Sequence, residues 1–248
     1  MRIWFALISV VALLLPAAAA PSERALLGAN TAYHTPYYIF RGAAPGPRVL
    51  VESGIHGDEL AGTYALDEMI RRLTVVSGTV IVIPRMNRPA VNREVRYINV
   101  DLNRAFGDAG RQQPYEFALA KEILALADRE KIEYAITLHE SHMMVDPAIP
   151  RALGQSLCYG VTEPAPLLGE WLGALNAMIA PTRHRFTTKY FPIPTSSTEV
   201  MVDRLHLKGG YCVETWRHLP LSSRIAMQKA AVETFLTEVR IDYRLIGR

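Results

Sequence analysis

This sequence has only two cysteines and no basic cluster, and it has no long apolar run beyond the first twenty residues. The 27 lysines and arginines are scattered and the net charge is only +3, so a nucleic-acid partner is not expected. No apolar run after residue 20 is long enough to cross a bilayer. The pattern Gly-x-Ser-x-Gly, which marks the nucleophile of many serine hydrolases, is also absent, and its absence disfavours that class of enzyme.

The two cysteines, Cys158 and Cys212, lie in separate apolar runs and allow one disulfide at most. In an exported protein they could pair with each other. Both also have the surroundings of buried strand residues, which is the commoner fate of cysteine. The sequence leaves both alternatives open.

The first twenty residues have the features of an export signal. Met1-Arg2 is a short positive start, residues 3–15 are apolar, and residues 17–20 are alanines that offer a cleavage site. The apolar part is shorter than the roughly 20 residues of a membrane span, so cleavage is favoured over an uncleaved anchor. We therefore expect a signal peptide over residues 1–20, no membrane span after its removal, and a periplasmic or secreted protein.

The rest of the chain, residues 21–248, shows no repeat, linker or low-complexity segment and is predicted to form one domain. Apolar runs alternate with amphipathic stretches, which is typical of a sheet covered by helices. The sequence predicts a single three-layer α/β domain with a mixed, mostly parallel twisted sheet and helices on both faces. Strands are predicted over residues 37–40, 48–52, 79–84, 134–138, 156–159, 185–190 and 211–213, helices over 58–73, 114–129, 167–179 and 221–239, a turn over 43–47 and a long loop over 85–104.

The stretch Gly54-Ile55-His56-Gly57-Asp58-Glu59 lies where a strand passes into a helix. Residues three apart share one face of a helical turn, so the His56 imidazole and the Glu59 carboxylate can converge on one ion. Zinc accepts both kinds of ligand. A capped helix start is the alternative interpretation. His139 and Glu214 also follow predicted strands, and ligands collect beyond the carboxyl ends of strands in such folds, which favours a metal site.

Four blocks in this order resemble the aspartoacylase/succinylglutamate desuccinylase family of the zinc carboxypeptidase superfamily. They are His56-x-x-Glu59, Asp101-Leu102-Asn103-Arg104, Leu138-His139-Glu140, and Glu214 after an apolar strand. The similarity extends over about residues 48–240. It implies that His56, Glu59 and His139 bind one Zn²⁺ and leave a fourth position open, as in catalytic zinc sites. It implies further that Glu214 is the general base and that Asp101 orients His56.

The same resemblance implies substrate contacts for four more residues. Arg96 would stabilise the oxyanion that forms on the attacked carbonyl. Asn103, Arg104 and Arg204 would bind a substrate carboxylate, for which a planar guanidinium is well suited. Zinc and three arginines in one cleft favour an anionic substrate.

One departure from the family bears on the substrate. Only 34 residues follow Glu214, whereas the relatives add a C-terminal β-rich lid that contributes a tyrosine. We therefore expect an open mouth and an exported zinc-dependent hydrolase that cleaves an amide bond next to a carboxylate-bearing group. Carboxypeptidase action on peptides, cell-wall peptides included, is favoured. The alternatives are a deacylase of small N-acyl amino acids and a binding module without turnover, which has no use for a base at Glu214.

Overall fold

The computed structural model describes residues 20–108, 110–160 and 165–247. Residues 1–19 of the expected signal peptide lie outside the described residues, so its cleavage stays a prediction. Within these ranges, no helix combines the length and the apolar character that a membrane span needs.

The described residues form one sheet and the helices that cover it. The strands are β1 (Glu23–Leu27), β2 (Thr35–Arg41), β3 (Ala44–Ser53), β4 (Leu73–Ile83), β5 (Tyr134–Ser141), β6 (Ser156–Tyr159), β7 (Thr187–Tyr190), β8 (Gly209–Trp216) and β9 (Asp242–Leu245). The helices are α1 (Leu60–Ile70), α2 (Arg88–Val91), α3 (Leu102–Ala105), α4 (Tyr115–Arg129), α5 (Pro166–Met178), α6 (Ser197–Leu205) and α7 (Leu221–Glu238), with short 3₁₀ turns at Phe106–Asp108 and Thr182–His184.

The sheet has the strand order β1-β2-β4-β3-β5-β8-β6-β7, and β9 pairs with the free part of β4. The central strands β4, β3, β5 and β8 are parallel to one another. Antiparallel pairs join β1 to β2, β2 to β4, β9 to β4 and β6 to β8, while β7 runs parallel to β6 at the edge. The mixed sheet predicted from the sequence is confirmed, but among the described strands four pairs are parallel and four antiparallel, so parallel pairs predominate only at the centre.

Helices cover both faces of the sheet, which explains the continuous apolar runs of the central strands. Val49 and Val51 of β3 face the layer of α1, α5 and α7, where Trp171 and Phe235 are buried. Leu50, between them, faces the opposite layer, which includes α3, α4 and α6. Successive strand residues thus enter different cores, as the pleat requires. The predicted three-layer α/β domain is confirmed.

The structure corrects the prediction around β4 and β3. Strand β4 begins at Leu73 rather than at residue 79, because its first half pairs with β9 near the chain end. Residues 43–47 are not an isolated turn but lead into β3, with a register shift before Arg48. At this point the backbones of β3 and β4 approach each other so closely that glycine is needed: a Cβ on Gly46 would lie 2.8 Å from the backbone nitrogen of Gly78.

Candidate metal centre and active-site cavity

His56 and Glu59 lie in the turn between β3 and α1, not on the helix itself. Helix α1 begins at Leu60, and Glu59 precedes it with φ of −104° and ψ of 76°. Gly57, between the two side chains, passes directly against helix α2: a Cβ there would lie 2.1 Å from the carbonyl carbon of Ala90. The turn, rather than a helical face, brings the imidazole and the carboxylate together.

The Glu59 carboxylate lies between two imidazole rings. Its Oε1 is 2.8 Å from Nδ1 of His56, and its Oε2 is 2.8 Å from Nδ1 of His139. One ligand-type atom from each of the three residues lies within 4.8 Å of the other two. All three side chains are buried, each residue being 4% exposed. Three donor atoms therefore converge on one buried point.

The protonation of these groups reflects their mutual contact. Burial disfavours the charged imidazole of His56, but the Glu59 carboxylate and a hydrogen bond to Asp101 outweigh it and raise the pKa of His56 to about 9. Burial dominates at His139 and lowers its pKa. Burial also opposes the charge of Glu59, yet the two histidines hold the pKa of that carboxyl well below its usual range. The negative charge of Glu59 thus favours a positive charge between the two imidazole rings, such as a divalent cation would provide.

Asp101 connects the cluster to helix α3. Its Oδ1 lies 3.2 Å from Nε2 of His56 and also accepts the backbone N–H of Asn103 at 2.9 Å, which caps the helix. The pKa of Asp101 falls to about 2, because the contacts with His56 and nearby arginines outweigh its burial. Arg96 donates to Glu59 at 3.2 Å and to Asp101 at 3.5 Å. One carboxylate thus orients His56 and starts the helix that carries Asn103 and Arg104.

Glu214 stands beside His139 on the neighbouring strand. The two residues are direct partners in the parallel register of β5 and β8. Burial raises the pKa of Glu214 well above its usual value, and the negative charge of Glu59 adds to this shift. The Cys212 thiol donates to its Oε1 at 3.6 Å. The Glu214 carboxyl group therefore lies beside His139, and its burial favours the protonated form.

One cavity of about 500 Å³ contains the cluster. It is lined by His56, Glu59 and His139 together with Arg96, Asn103, Arg104 and Glu214. Arg104 donates to the carbonyl oxygen of Asn103 at 3.0 Å, and the side-chain oxygen of Asn103 accepts the backbone N–H of Ser197 at 3.2 Å. Seven residues that the sequence singled out thus share one space of a size suited to a small ligand.

Arg204 is the exception among the predicted substrate contacts. It lies in the last turn of α6, and its guanidinium donates to the carbonyl oxygen of Gly107 at 2.8 Å instead of lining the cavity. Arg151 lines the cavity in its place. Arg151 lies in a non-periodic connection between β5 and β6, so no pattern in the sequence marks it as a cavity residue.

The chemistry of the donor set fits zinc. Two neutral imidazole nitrogens and one carboxylate oxygen are the ligands of many catalytic zinc sites. Nδ1 of both His56 and His139 faces the convergence point, and the second nitrogen of His56 is held by Asp101, as metal-binding histidines usually require. The three residues could therefore hold one divalent ion, with Asp101 fixing the His56 ring.

Parts of the chain are similar in sequence to known proteins. Residues 45–143 match the family model of the succinylglutamate desuccinylase/aspartoacylase catalytic domain. The N-alpha-acetyl-L-2,4-diaminobutyric acid deacetylase of Halomonas elongata is 42% identical over 66 residues, which are 25% of this chain and 19% of that protein. The succinylglutamate desuccinylase of Pseudoalteromonas atlantica is 34% identical over 85 residues, which are 30% of this chain and 24% of that protein.

Solved structures show the same fold. Product-bound cell shape determinant Csd4 from Helicobacter pylori superposes with a TM-score of 0.78 at 20% identity, over 86% of this chain and 56% of that chain. A succinylglutamate desuccinylase/aspartoacylase from Rhodobacter sphaeroides superposes with a TM-score of 0.63 at 20% identity, over 86% of this chain and 60% of that chain. The chain spans little more than half of these two proteins and a quarter or less of the two curated relatives.

The matched proteins are hydrolases by name, namely a deacetylase, a desuccinylase and, for Csd4, a D,L-carboxypeptidase. The family resemblance is therefore confirmed over residues 45–143, which match the catalytic domain of the succinylglutamate desuccinylase/aspartoacylase family and contain three of the four sequence blocks; Glu214 lies beyond the match.

Proposed function

We propose that this chain is an exported, zinc-dependent hydrolase that cleaves an amide bond next to a carboxylate-bearing group. The observation that carries the proposal is the convergence of His56, Glu59 and His139 in the same cavity as Glu214. A structural salt-bridge cluster would need neither a cavity nor a buried carboxylate beside it. A bound Zn²⁺ would supply a Lewis acid that polarises the carbonyl and makes water more acidic.

Glu214 is the general base in this proposal. Its raised pKa suits a group that takes a proton from the attacking water and then delivers it to the leaving amine nitrogen. A divalent ion nearby would lower that pKa towards the working range. Arg96, whose side chain is 46% exposed, can turn from Glu59 towards the oxyanion that develops on the attacked carbonyl.

Cationic groups in the cavity would bind the substrate carboxylate. Arg104 and Arg151 both line it, and a guanidinium can bind two carboxylate oxygens at once. The side-chain oxygen of Asn103 is occupied by the Ser197 N–H, which leaves the amide nitrogen of Asn103 as a donor towards the substrate. Arg204 has no part in this proposal, because its guanidinium binds Gly107.

Peptides are the favoured substrates. Csd4 has been solved with a tripeptide and with mDAP, and one of its structures is described as that of a D,L-carboxypeptidase. By that similarity we propose removal of a residue from the free carboxyl end of a peptide, cell-wall peptides included. The curated relatives favour a second candidate, deacylation of a small N-acyl amino acid, since both are named as deacylases.

The test compares Glu214→Gln with wild type on a matched panel. Zinc-loaded protein is offered a tripeptide with a free carboxyl end, the same tripeptide amidated, and N-acetyl and N-succinyl amino acids. We expect wild type to cleave the free tripeptide and to spare the amidated one. Glu214→Gln should retain zinc but lose about 100- to 10,000-fold in kcat/KM, the usual contribution of a general base.

Glu170→Gln is the matched control, because Glu170 is exposed on α5 and does not line the cavity. It should keep wild-type turnover and zinc content, the latter measured by elemental analysis. Cleavage of the acyl amino acids alone would select the deacylase. Near-normal turnover by Glu214→Gln would remove that residue from the mechanism, and zinc binding without turnover on any substrate would leave a binding module.

A further inference from the structure

The two cysteines of the chain face each other across two strands. Cys158 of β6 and Cys212 of β8 are direct partners in an antiparallel register. Directly opposed residues in such a pair have Cα atoms about 4.5 or 5.5 Å apart and side chains on the same face. Either separation falls within the roughly 4.4–6.8 Å that a disulfide spans. Both are free thiols in this structure.

The cysteine pair belongs to the wall of the active-site cavity. Both residues line it; Cys212 is half-buried, whereas Cys158 is only 4% exposed. The Cys212 thiol donates to Oε1 of Glu214 at 3.6 Å, and the Cys158 thiol lies 3.3 Å from the Ser156 hydroxyl. A purely structural buried cysteine packs among apolar groups as a small hydrophobic residue. These two instead contact each other and polar groups.

The contact between the thiols also shifts their pKa values in opposite directions. The contact with Cys212 lowers the pKa of the Cys158 thiol, and the same contact together with burial raises the pKa of Cys212. Thiol–disulfide exchange begins with the thiolate. Cys158 is therefore the nucleophile of the pair, and Cys212 is the resolving thiol.

We propose that Cys158 and Cys212 form a reversible disulfide that controls the cavity beside Glu214. The oxidant is a low-molecular-weight disulfide such as oxidised glutathione. The Cys158 thiolate attacks one of its sulfurs and releases one thiol, and the Cys212 thiolate then attacks the Cys158 sulfur of the mixed disulfide and releases the second. The protein gives up two protons and two electrons, and the oxidant becomes two thiols.

Oxidation changes what Glu214 contacts. The reduced pair provides an S–H donor to Oε1 of Glu214, whereas a disulfide has no such hydrogen. A weak hydrogen bond of this type corresponds to an effect of about 2- to 5-fold on a rate that depends on the carboxylate. This part of the inference rests on the proposed function of Glu214. The formation of the disulfide does not.

The test equilibrates zinc-loaded wild-type protein with reduced or oxidised glutathione. Free thiols are counted in unfolded samples, and linked peptides are mapped by mass spectrometry. We expect two thiols after reduction, none after oxidation, and a peptide pair that joins Cys158 to Cys212 within one chain. The disulfide should raise the Tm by about 5 °C or more. Oxidation should lower kcat/KM by about 2- to 5-fold, and reduction should restore it.

Cys158→Ser and Cys212→Ser are the matched variants. Neither variant can form the disulfide within the chain. Cys158→Ser lacks the nucleophile and should keep its one thiol, its Tm and its activity in both buffers. Cys212→Ser lacks the resolving thiol, so oxidised glutathione should convert its Cys158 into a mixed disulfide, which mass spectrometry detects. Two thiols that persist in oxidised wild type, or a link between different chains, would overturn the proposal. A disulfide that forms without any change in activity on a cleaved substrate would overturn its control of the cavity. If no substrate is cleaved at all, the thiol count and the Tm still decide whether the bond forms.

Discussion

At the scale of single residues, Glu52 carries a buried carboxyl group with only hydroxyl partners. It lies in β3, and its Oε2 accepts hydrogen bonds from Ser197 at 2.6 Å and from Thr137 at 3.0 Å. Its Oε1 has no hydrogen-bond partner among the described residues. Burial outweighs these two hydrogen bonds and raises the pKa of Glu52 to about 7. The folded protein therefore holds a proton on Glu52 at mildly acidic pH.

This proton makes stability depend on pH. Between the ordinary pKa of 4.5 and about 7, the folded state binds more protons at Glu52 than the unfolded state does. The contribution of Glu52 to the free energy of unfolding should therefore be greatest below pH 4.5. As the pH rises through 7, the free energy of unfolding should fall by about 2–4 kcal/mol. Glu52→Gln, which imitates the protonated group, should remove that loss.

Urea denaturation of wild type and Glu52→Gln at pH 5, 6, 7 and 8 measures the effect. The two proteins should differ little at pH 5, and the variant should be the more stable at pH 8. Glu170→Gln, on exposed helix surface, should follow wild type throughout. Parallel curves for wild type and Glu52→Gln would show that Glu52 does not hold the proton.

Some residues of the candidate site could be predicted from the sequence and others could not. That His56, Glu59, His139 and Glu214 share one cavity was predictable, because each follows a recognisable strand and the family motif fixes their order, whereas their chemical roles stay predictions. Arg151 was not, since an exposed arginine in an irregular connection has no pattern that separates it from the other surface charges. The position predicted for Arg204 also differs from the structure, where its guanidinium binds Gly107 outside the cavity. The direction of a side chain at a helix end depends on packing that the sequence does not show.

At the scale of elements, Gly57 lets the turn that carries His56 and Glu59 pass directly against helix α2. A Cβ there would lie 2.1–2.4 Å from backbone atoms of Ala90 and Val91, so one of the two segments must move. We expect Gly57→Ala to displace His56 and Glu59 and to weaken zinc binding by at least about 10-fold, with a loss of stability of about 1–3 kcal/mol. Competition with a zinc chelator and thermal unfolding measure the two effects.

Gly169→Ala in helix α5 is the control for the same chemical change. A Cβ at Gly169 meets no atom within 4 Å, so the alanine fits and stabilises the helix by about 0.5–1 kcal/mol. Its affinity for zinc should equal that of wild type. Unchanged zinc affinity in Gly57→Ala would mean that the turn tolerates the displacement.

Elements were predictable where their pattern is local. Helix α4 and strand β6 occur almost as the sequence predicts, because each has its own apolar periodicity. Strands β1 and β9 and helix α6 were not predicted. β9 exists because it pairs with β4, some 170 residues earlier in the chain, and four residues have too little pattern of their own. α6 was missed because its buried stripe is short and polar residues dominate it.

At the scale of the whole molecule, metal binding should stabilise the fold. The three proposed ligands come from β5 and from the turn after β3, so an ion that binds them holds two distant parts of the chain together. An ion present at about 1,000 times its Kd adds about 4 kcal/mol, and this should raise the Tm by roughly 8–16 °C.

Thermal unfolding with EDTA and with zinc, in protein of known metal content, measures this shift. His139→Ala should abolish it, because one of the three donors is lost. His218→Ala should preserve it, since His218 is exposed and does not line the cavity. A full shift in His139→Ala would place the stabilising ion elsewhere in the molecule.

His139 and Glu214 lie beside each other in the sheet, and this position separates them from the parts of the cavity that can be varied by mutation. Those two residues belong to adjacent central strands, so the spacing of the sheet fixes their separation. Much of the outer wall of the cavity comes from the connections before β6 and after β7, which include Arg151 and Phe191. The outer wall and the proposed catalytic residues thus belong to different parts of the fold. We expect a combinatorial library confined to those connections to change which ligands bind, while the proposed metal ligands and Glu214 keep their positions.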